Sequence, residues 1–425
     1  MDLGIALSLL VTVVLLLLGV EIVVCLGLGA VLLTAVTGVF TLENVSMAAF
    51  QGLNSFPLIA MPLYILTGDL IGESGIAKML TNFSRAVLGW LKGGLALTTL
   101  LACGFFAAIS GSNSATVATM GKIMLPEMKK DGYPTDFAAA TAAYGGTVGI
   151  IIPPSIIFII YGVSTGTPVG DLFLGGIVPG FLMVACMCLA AFYLSSRHRW
   201  GGQFPFSPRT VLRSAWDAKL AFGASAVILG GIYGGVFTPS EAGAIAVAYC
   251  LIVGVLITRG IKVSRIPEIT ERSATINGFI APIVAMAIVF SQILSFLQLP
   301  QNGVKALLSI SENPTIIVAL MLLVLLIAGT IMECTPNVIL LAPLLTPVAI
   351  QLGFDPVHWG VVMVATLALG FVTPPVGLNL FVAAGISGVS FTRIAMRGSL
   401  YFLGLLAALL LMTSIPDLSL FLVRR

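Results

Sequence analysis

The sequence predicts an all-α polytopic membrane protein, built as two inverted-topology repeats with about ten transmembrane helices and two re-entrant helical hairpins. Three observations predict this fold. Of 425 residues, 58% are hydrophobic and only 9% are charged, whereas soluble domains carry about a quarter charged residues. Apolar runs that approach the length of a bilayer span recur along the whole chain. Finally, a Pro–Pro pair occurs twice, with a separation of 221 residues.

The apolar runs predict the individual spans. Residues 3–19 resemble a secretory signal in length, but no basic start precedes them, so they are interpreted as the first span. The predicted spans are 3–19, 22–40, 48–72, 136–162, 171–195, 221–238, 241–258, 273–298, 357–382 and 393–415.

Two further apolar stretches, 94–128 and 314–352, are too long for one span and have polar, helix-breaking centres. These centres read SGSNS at 110–114 and ECTPN at 333–337. Bent backbone is tolerated at membrane depth only where it is buried in protein or lines a wet cavity. Both stretches are therefore predicted to be re-entrant hairpins.

The basic residues predict the orientation, because cytoplasmic loops hold an excess of Lys and Arg. With both termini outside, the inner loops hold 17 of the 20 Lys and Arg residues, and only Lys305, Arg424 and Arg425 lie outside. The four Trp residues fall at predicted span ends, as in an interfacial belt. A net charge of +3 gives no reason to expect a nucleic-acid partner.

The two halves of the sequence repeat each other. At the offset of 221, Pro153–Pro154 aligns with Pro374–Pro375, and Gly149 aligns with Gly370. The same offset places the first polar hairpin centre over the second. Five crossings separate equivalent points, and an odd number inverts the second copy, as in many secondary transporters.

The paired prolines predict two interrupted spans. Proline removes a backbone hydrogen bond, so residues 150–155 and 371–376 should be unwound. Four helix N-termini, two after the breaks and two after the hairpin tips, would then converge near the midplane. Unpaired N–H groups and the helix dipole make such a region attractive to carboxylates.

Oxygen atoms at the same breaks suit a hard cation such as sodium. Loose carbonyls end the first half-helices, and hydroxyl and amide oxygens surround them. The alternative is that these hydroxyls merely bond helix carbonyls or pack spans together. The candidate side chains are Ser110, Asn113, Ser114, Thr116, Thr335, Asn337 and Thr373.

Glu333 lies in the second polar centre, where an intramembrane charge usually has a function. Its carboxylate is a candidate sodium ligand, proton carrier, substrate contact or cap of the following helix. Glu21 and Glu241 recur at equivalent positions of the two halves, but they are interpreted as residues of solvated turns.

Other functional classes fit less well. A serine protease would need a base near Ser74 of the Gly-Glu-Ser-Gly segment, but the two histidines, His198 and His358, are predicted in loops. The protein is therefore not expected to be an enzyme. A channel would require one continuous lined pore rather than paired hairpins, and a proton-coupled carrier with Glu333 as the relay is the main alternative to sodium coupling.

Four segments carry a resemblance to a known family. They read AAISGSNSATVATMGKIMLPEM, YGGTVGIIIPPSIIFIIYG, ECTPNVILLAPLLTPV and FVTPPVGLNLFVAAGISG. Through these four segments, the chain resembles the large membrane subunit (M subunit) of tripartite ATP-independent periplasmic (TRAP) transporters, which belong to the ion transporter superfamily. The resemblance extends through nearly the whole chain.

The resemblance implies an elevator-type, sodium-coupled importer of carboxylate-bearing solutes such as C4-dicarboxylates or sialic acid, in the bacterial inner membrane. It implies two partners, a small four-helix membrane subunit and a periplasmic substrate-binding protein. The small subunit is expected to be a separate chain. The first sodium site would comprise Ser110, Asn113, Ser114, Gly146, Gly149 and Ile151. The second would comprise Thr335, Asn337, Gly370 and Thr373, with substrate near Ser112, Ser155, Glu333 and Asn379.

The repeats also predict a division of the chain. A mobile transport domain would comprise 94–195 and 314–425, and a scaffold would comprise 1–93 and 221–313. The connector 196–220 would lie on the inner membrane surface as an amphipathic brace. At one position the chain departs from the family pattern, because Glu333 stands where members often have Asp, and this difference bears on which solute fits.

Overall fold

A computed structural model describes residues 3–201, 205–299, 302 and 313–424, and every regular element in these ranges is helical. Lys305, Arg425 and parts of the predicted connector and second scaffold segment lie outside the described residues. The first half contains α1 (Leu3–Leu17), α2 (Ile22–Thr37), α3 (Leu42–Leu53), α4 (Ala60–Glu73), α5 (Ile76–Leu88), α6 (Gly94–Ser110), α7 (Asn113–Lys130), α8 (Thr135–Gly145), α9 (Ile156–Thr165) and α10 (Val169–His198).

A short helix, α11 (Pro208–Asp217), begins after Ser207, whose hydroxyl accepts a hydrogen bond from the N–H of Thr210. This helix lies in the predicted connector and meets the next helix, α12 (Lys219–Tyr233), at a bend of 60°. The second half contains α12 (Lys219–Tyr233), α13 (Pro239–Leu251), α14 (Ile266–Phe296), α15 (Pro314–Ile331), α16 (Cys334–Gln351), α17 (Pro356–Gly370), α18 (Leu378–Ser387), α19 (Phe391–Arg397), α20 (Ser399–Ser414) and α21 (Asp417–Leu420).

Both predicted hairpins are helix pairs with short tips. Hairpin 1 consists of α6 and α7, which pack together and are joined by Gly111 and Ser112. Hairpin 2 consists of α15 and α16, which pack together and are joined by Met332 and Glu333. The polar centres of the sequence therefore mark the hairpin tips, as predicted.

Both predicted helix interruptions are also confirmed. The α8 helix continues as a 3₁₀ segment, Gly146–Ile150, and regular structure resumes only at α9. We call residues 151–155 break 1 and residues 371–377, between α17 and α18, break 2. The peptide bonds Pro153–Pro154 and Pro374–Pro375 are both cis.

Several boundaries differ from the sequence prediction. The predicted span 48–72 is split between α3 and α4, whose axes differ by 60°. The loop that follows contains α5, and the span 393–415 is divided between α19 and α20. The prediction that Trp359 belongs to an interfacial belt is wrong, because this residue is fully buried in α17, where it packs against Phe354.

The prediction that both histidines lie in loops was wrong, because His198 ends α10 and His358 lies in the first turn of α17. The His358 imidazole is buried and hydrogen-bonded to the Ser419 hydroxyl at 3.2 Å. The Ser74 hydroxyl is committed locally, since it donates to the carbonyl of Ile71 at 2.9 Å. Glu241 forms a capping box with Thr238 at the start of α13, which agrees with a turn role.

Among the described residues, five helices are long and apolar enough to cross a membrane, and counting each bent pair as one span gives up to eight. Six shorter apolar helices accompany them, including α6 and α9. In one group of packed helices, α14 contacts α2, α3 and α4, while α13 contacts α4. In another, α18 contacts α7 and α8, and α15 contacts α17.

Candidate functional site

A cavity of about 350 Å³ lies where both hairpin tips meet α4 and α14. This volume is within the range of small-molecule sites. Hairpin 1 supplies residues 110–115, and the cavity is also lined by Ile150, which precedes break 1, and by Phe371, which begins break 2. Residues from hairpin 2, α4 and α14 complete most of the wall: Glu333, Cys334, Thr335, Ile65, Gly68, Asp69, Ile276 and Ile280.

The tip of hairpin 1 favours glycine at position 111. Gly111 ends α6 with a φ of 61°, and a Cβ there would lie 2.6 Å from the carbonyl oxygen of Pro154. The next residue, Ser112, caps α7 by accepting a hydrogen bond from the N–H of Ala115 at 3.4 Å. The tip is therefore held directly against break 1.

The structure brings most of the first predicted sodium set together. A Cβ added at Gly149 would lie 2.5 Å from the carbonyl oxygen of Ser112, and one added at Gly146 would lie 3.1 Å from the carbonyl oxygen of Asn113. Ser110 and Ser114 line the cavity. The Ser110 hydroxyl is within 3.2 Å of the Thr116 hydroxyl.

Ile151, the remaining member of that set, directs its carbonyl oxygen toward α10. Its carbonyl oxygen packs against Gly176 of α10. Its side chain is fully buried, and it is not among the described residues that line the cavity. The sequence spacing alone did not reveal this direction.

The second predicted sodium set lies around hairpin 2 and break 2. Thr335 lines the cavity. The Asn337 Nδ2 donates to the carbonyls of Ala328 at 3.1 Å and Met332 at 3.0 Å, which fixes the tip. The Thr373 hydroxyl donates to the carbonyl of Leu369 at 2.7 Å, and Gly370 packs directly on the backbone of Gly329 in α15.

The four residues predicted near the substrate separate into two pairs. Ser112 and Glu333 line the cavity, whereas Ser155 and Asn379 are not among its described lining residues. The Ser155 hydroxyl donates to the carbonyl of Ile150 at 2.6 Å and caps α9. The Asn379 Nδ2 donates to the carbonyl of Ala143 at 3.2 Å, which ties α18 to α8.

Two groups at the cavity keep unused hydrogen-bond donors. The α16 helix begins after Glu333, whose side chain does not cap it. The backbone N–H groups of Cys334 and Thr335, in the first turn of this helix, have no carbonyl partner within the helix. Across the cavity, Asn113 is buried and its Nδ2 has no partner. Donors of this kind suit a carboxylate.

Sequence reasoning missed Asp69, which lies on α4 and lines the cavity. Its carboxylate pairs with Arg272 at 3.1 Å and accepts a hydrogen bond from Ser273 at 2.6 Å. A signal was available, because Asp69 is a charged residue inside the predicted span 48–72, and such residues are usually functional.

Ion pairs and hydrogen bonds across the repeats join α8 to residues 372–401. Arg393 pairs with Asp136 of α8 at 3.0 Å. The hydroxyls of Thr141 and Tyr401 are 2.9 Å apart, and the Tyr144 hydroxyl donates to the carbonyl of Val372 at 3.2 Å. With the Asn379 contact and an ion pair between Arg397 and Asp136 at 3.8 Å, five polar links connect α8 to residues 372–401.

Replacing Tyr401 with Phe should lower the melting temperature of the purified protein. The substitution removes one buried hydrogen bond to Thr141, which corresponds to a loss of about 1 kcal/mol. Differential scanning fluorimetry in detergent measures the change. Tyr193→Phe is the control, because Tyr193 is exposed; equal melting temperatures for both variants would contradict a stabilising role of this link.

Comparison with known proteins identifies the family. The profile described as "Tripartite ATP-independent periplasmic transporter, DctM component" matches residues 9–418, nearly the whole chain. The chain belongs to this TRAP transporter family. The resemblance seen in the hairpin tips and Pro–Pro segments is thereby confirmed.

Named relatives of this TRAP large subunit transport several kinds of solute. The C4-dicarboxylate TRAP transporter large permease protein DctM of Pseudomonas aeruginosa is 36% identical, over 93% of this chain and 92% of the relative. The Isethionate TRAP transporter permease protein DctMQ of Oleidesulfovibrio alaskensis is 37% identical over 95% of this chain, which spans only 64% of that relative. The Sialic acid TRAP transporter large permease protein SiaM of Vibrio cholerae is 32% identical, over 82% of each chain.

A solved structure supports the helical fold. The Alcanivorax borkumensis YdaH transporter superposes with a TM-score of 0.60 at 16% identity, over 87% of this chain and 88% of that one. Family membership and the recurrent apolar helices make this TRAP large subunit a multi-pass membrane protein. It is a transporter permease and not an enzyme.

Proposed function

We propose that this TRAP large subunit is a sodium-coupled secondary active importer of a carboxylate-bearing organic solute, such as a C4-dicarboxylate, sialic acid or a similar acid. One observation carries the proposal. The same cavity is lined by the start of α16, which has no side-chain cap, by Asn113, whose Nδ2 has no partner, and by hydroxyl groups of both hairpin tips.

The donors support an anionic solute. A carboxylate at the cavity would accept hydrogen bonds from the N–H groups of Cys334 and Thr335 and would also meet the helix dipole. Asn113 would supply a donor from the opposite tip. Since a buried donor without a partner costs about 1–3 kcal/mol, ligand binding would recover much of that cost.

The oxygens support a cotransported hard cation. Sodium is bound by carbonyl, hydroxyl and amide oxygens, which surround both hairpin tips. On the first side we assign Ser110, Asn113 and Ser114 with backbone of Gly146 and Gly149. On the second side we assign Thr335, the Asn337 Oδ1 and Thr373 with backbone of Gly370. Ile151, whose carbonyl lies against α10, is the weakest member of the original set.

An elevator-type movement follows from the proposed inverted repeats. If the halves are equivalent but oppositely oriented, each can adopt the conformation of the other, which yields inward-open and outward-open states. The five links between α8 and residues 372–401 support treating 94–195 and 314–425 as one moving body. The proposed scaffold is 1–93 with 221–313, of which residues 1, 2, 300, 301 and 303–312 lie beyond the described structure.

We propose that the protein functions in a bacterial inner membrane with both termini periplasmic. Its proposed partners are a separate small four-helix membrane subunit and a periplasmic substrate-binding protein that delivers the solute. The name of the Oleidesulfovibrio alaskensis relative, DctMQ, and its greater length suggest that the two membrane subunits are fused in that relative.

Replacing external sodium with choline should abolish uptake of radiolabelled solute into proteoliposomes that contain the transporter and its binding protein. Without sodium, the oxygen ligands at both hairpin tips have no cation to bind, and the solute carboxylate loses a neighbouring positive charge. An imposed sodium gradient at constant pH should restore uptake, while a pH gradient in choline should not.

Proton coupling is the competing hypothesis. This hypothesis is supported by Glu333, which lines the cavity and whose side chain does not cap α16. If uptake persists in choline and is driven by a pH gradient, sodium coupling is rejected. Loss of that uptake in Glu333→Gln would then assign the proton relay to this carboxylate.

A further inference from the structure

A network of charged residues lies at the edge of the cavity where α4 ends and α14 begins. The Asp69 carboxylate is 3.1 Å from the Arg272 guanidinium, which also lies 3.5 Å from Glu73. Glu73 in turn pairs with Arg265 at 3.4 Å. The side chain of Arg272 is 47% exposed, so it can exchange its partner without a large desolvation cost.

The position of Arg272 relates it to the cavity. Ile276 and Ile280 both line the cavity and follow Arg272 at intervals of four residues along α14. Residues at this spacing share one helix face. Asp69, the ion-pair partner of Arg272, lines the cavity itself, whereas no Lys or Arg is among the described lining residues.

Each carboxylate in the network has a second partner. Asp69 accepts a hydrogen bond from the Ser273 hydroxyl at 2.6 Å, and Glu73 remains paired with Arg265. If Arg272 turns toward another anion, neither carboxylate is left without a polar contact. The exchange replaces one carboxylate by another on the same guanidinium, so the Arg272 charge stays compensated throughout.

We propose that Arg272 is an anion subsite at the mouth of the cavity, and that it releases Asp69 to bind a carboxylate of the solute. This inference rests on the proposed transport of carboxylates and adds a residue that recognises them. Guanidinium and carboxylate can form two parallel hydrogen bonds, which fixes the orientation of the bound group. Because Arg272 and Asp69 belong to α14 and α4 of the proposed scaffold, the subsite would act in the conformation in which the hairpin tips share a cavity with these helices.

Because Asp69 and the solute would compete for Arg272, removing the Asp69 charge should strengthen solute binding. Asp69→Asn keeps a hydrogen-bond acceptor for Ser273 but removes the ion pair with Arg272. Solute should therefore bind about threefold to fivefold more tightly. Arg272→Met should weaken binding roughly tenfold. In the Arg272→Met background, Asp69→Asn should give no gain, because its effect acts through the guanidinium.

Equilibrium binding of ¹⁴C-succinate and ¹⁴C-N-acetylneuraminate to the protein in lipid nanodiscs, in sodium chloride, tests this double-mutant cycle. The variants are measured with whichever acid binds the wild type. Glu127→Gln is the matched control, because it removes one carboxylate from an ion pair with Arg85 at a site away from the cavity lining. Its affinity should equal that of the wild type.

Two results would overturn the subsite while leaving the proposed function intact. In the first, the wild type binds solute in a sodium-dependent way and Asp69→Asn binds it no more tightly. A lower melting temperature of Asp69→Asn would then indicate that the Asp69–Arg272 ion pair only joins α4 to α14. The other is an equal gain from Asp69→Asn with and without Arg272, which would reflect general charge removal. Failure of the wild type to bind either acid in sodium would reject the proposed function, and the subsite with it.

Discussion

Replacing Gly149 with Ala is expected to lower sodium-dependent uptake at least about tenfold. A Cβ at this position would lie 2.5 Å from the carbonyl oxygen of Ser112 and 2.7 Å from the Cα and N of Asn113. All three neighbours are backbone atoms of hairpin 1, so no side chain can rotate away to make room. The added methyl group must therefore displace the hairpin tip from the 3₁₀ segment Gly146–Ile150.

The displacement should cost more than a typical overpacked side chain, for which about 1–3 kcal/mol is usual. It would also separate Asn113 and Ser114 from the backbone oxygens proposed to hold the first sodium. Uptake in proteoliposomes should fall at least about tenfold, since 1.4 kcal/mol of lost binding already gives that factor. Sodium titration of the melting temperature provides a second measurement, and the stabilisation by sodium should decrease.

Gly385→Ala is the matched control, because Gly385 lies within α18 and a Cβ there meets no atom within 4 Å. Alanine favours a helix over glycine by up to about 1 kcal/mol, so this variant should fold at least as well as the wild type. Normal sodium-dependent uptake by Gly149→Ala would contradict the tight packing of hairpin 1 on the broken span.

The breaks and tips were predictable because their causes are local. Proline removes a backbone donor, so the Pro–Pro pairs marked break 1 and break 2 closely. Polar residues at the centres of long apolar stretches marked the tips, and the observed tips at Gly111–Ser112 and Met332–Glu333 fall at or beside those centres. Neither inference needed knowledge of distant contacts.

Several features could not be predicted because they depend on tertiary packing. The offset of 221 residues makes the two breaks equivalent in sequence, yet Pro153 and Pro154 are buried whereas Pro374 and Pro375 are exposed. Pro154 is covered by the tip of hairpin 1, through Gly111. The burial of Trp359 and His358 in α17 has the same kind of origin, since hydropathy at a helix start does not reveal its neighbours.

For the candidate site, the sequence predicted the chemistry better than the individual roles. Ser112 and Glu333 line the cavity as expected for substrate contacts, but Ser155 acts as a helix cap. A serine directly before an apolar helical run is a common N-cap signal, so its structural role was recognisable. Asn379 links the repeats through Ala143, a contact across 236 residues of sequence that no local pattern reveals.

Ser114→Ala and Thr335→Ala should each raise the sodium concentration required for half-maximal uptake, while expression stays unchanged. Both side chains line the cavity, one on each hairpin. Losing one hydroxyl ligand should cost about 1–1.5 kcal/mol, which corresponds to roughly a fivefold to tenfold shift. The maximal uptake rate should recover at high sodium, because the substitution weakens cation binding and leaves the solute donors in place.

Thr366→Ala tests whether any threonine loss near the breaks has this effect. Thr366 is buried in α17 and its hydroxyl donates to the carbonyl of Val362 at 2.7 Å, within its own helix. Its removal should leave the sodium dependence unchanged, because a hydroxyl that only bonds its own helix carbonyl has no part in cation binding. An unaltered sodium requirement in both Ser114→Ala and Thr335→Ala would remove these hydroxyls from the ligand set, whereas a shift in only one would place the coupled cation at a single hairpin.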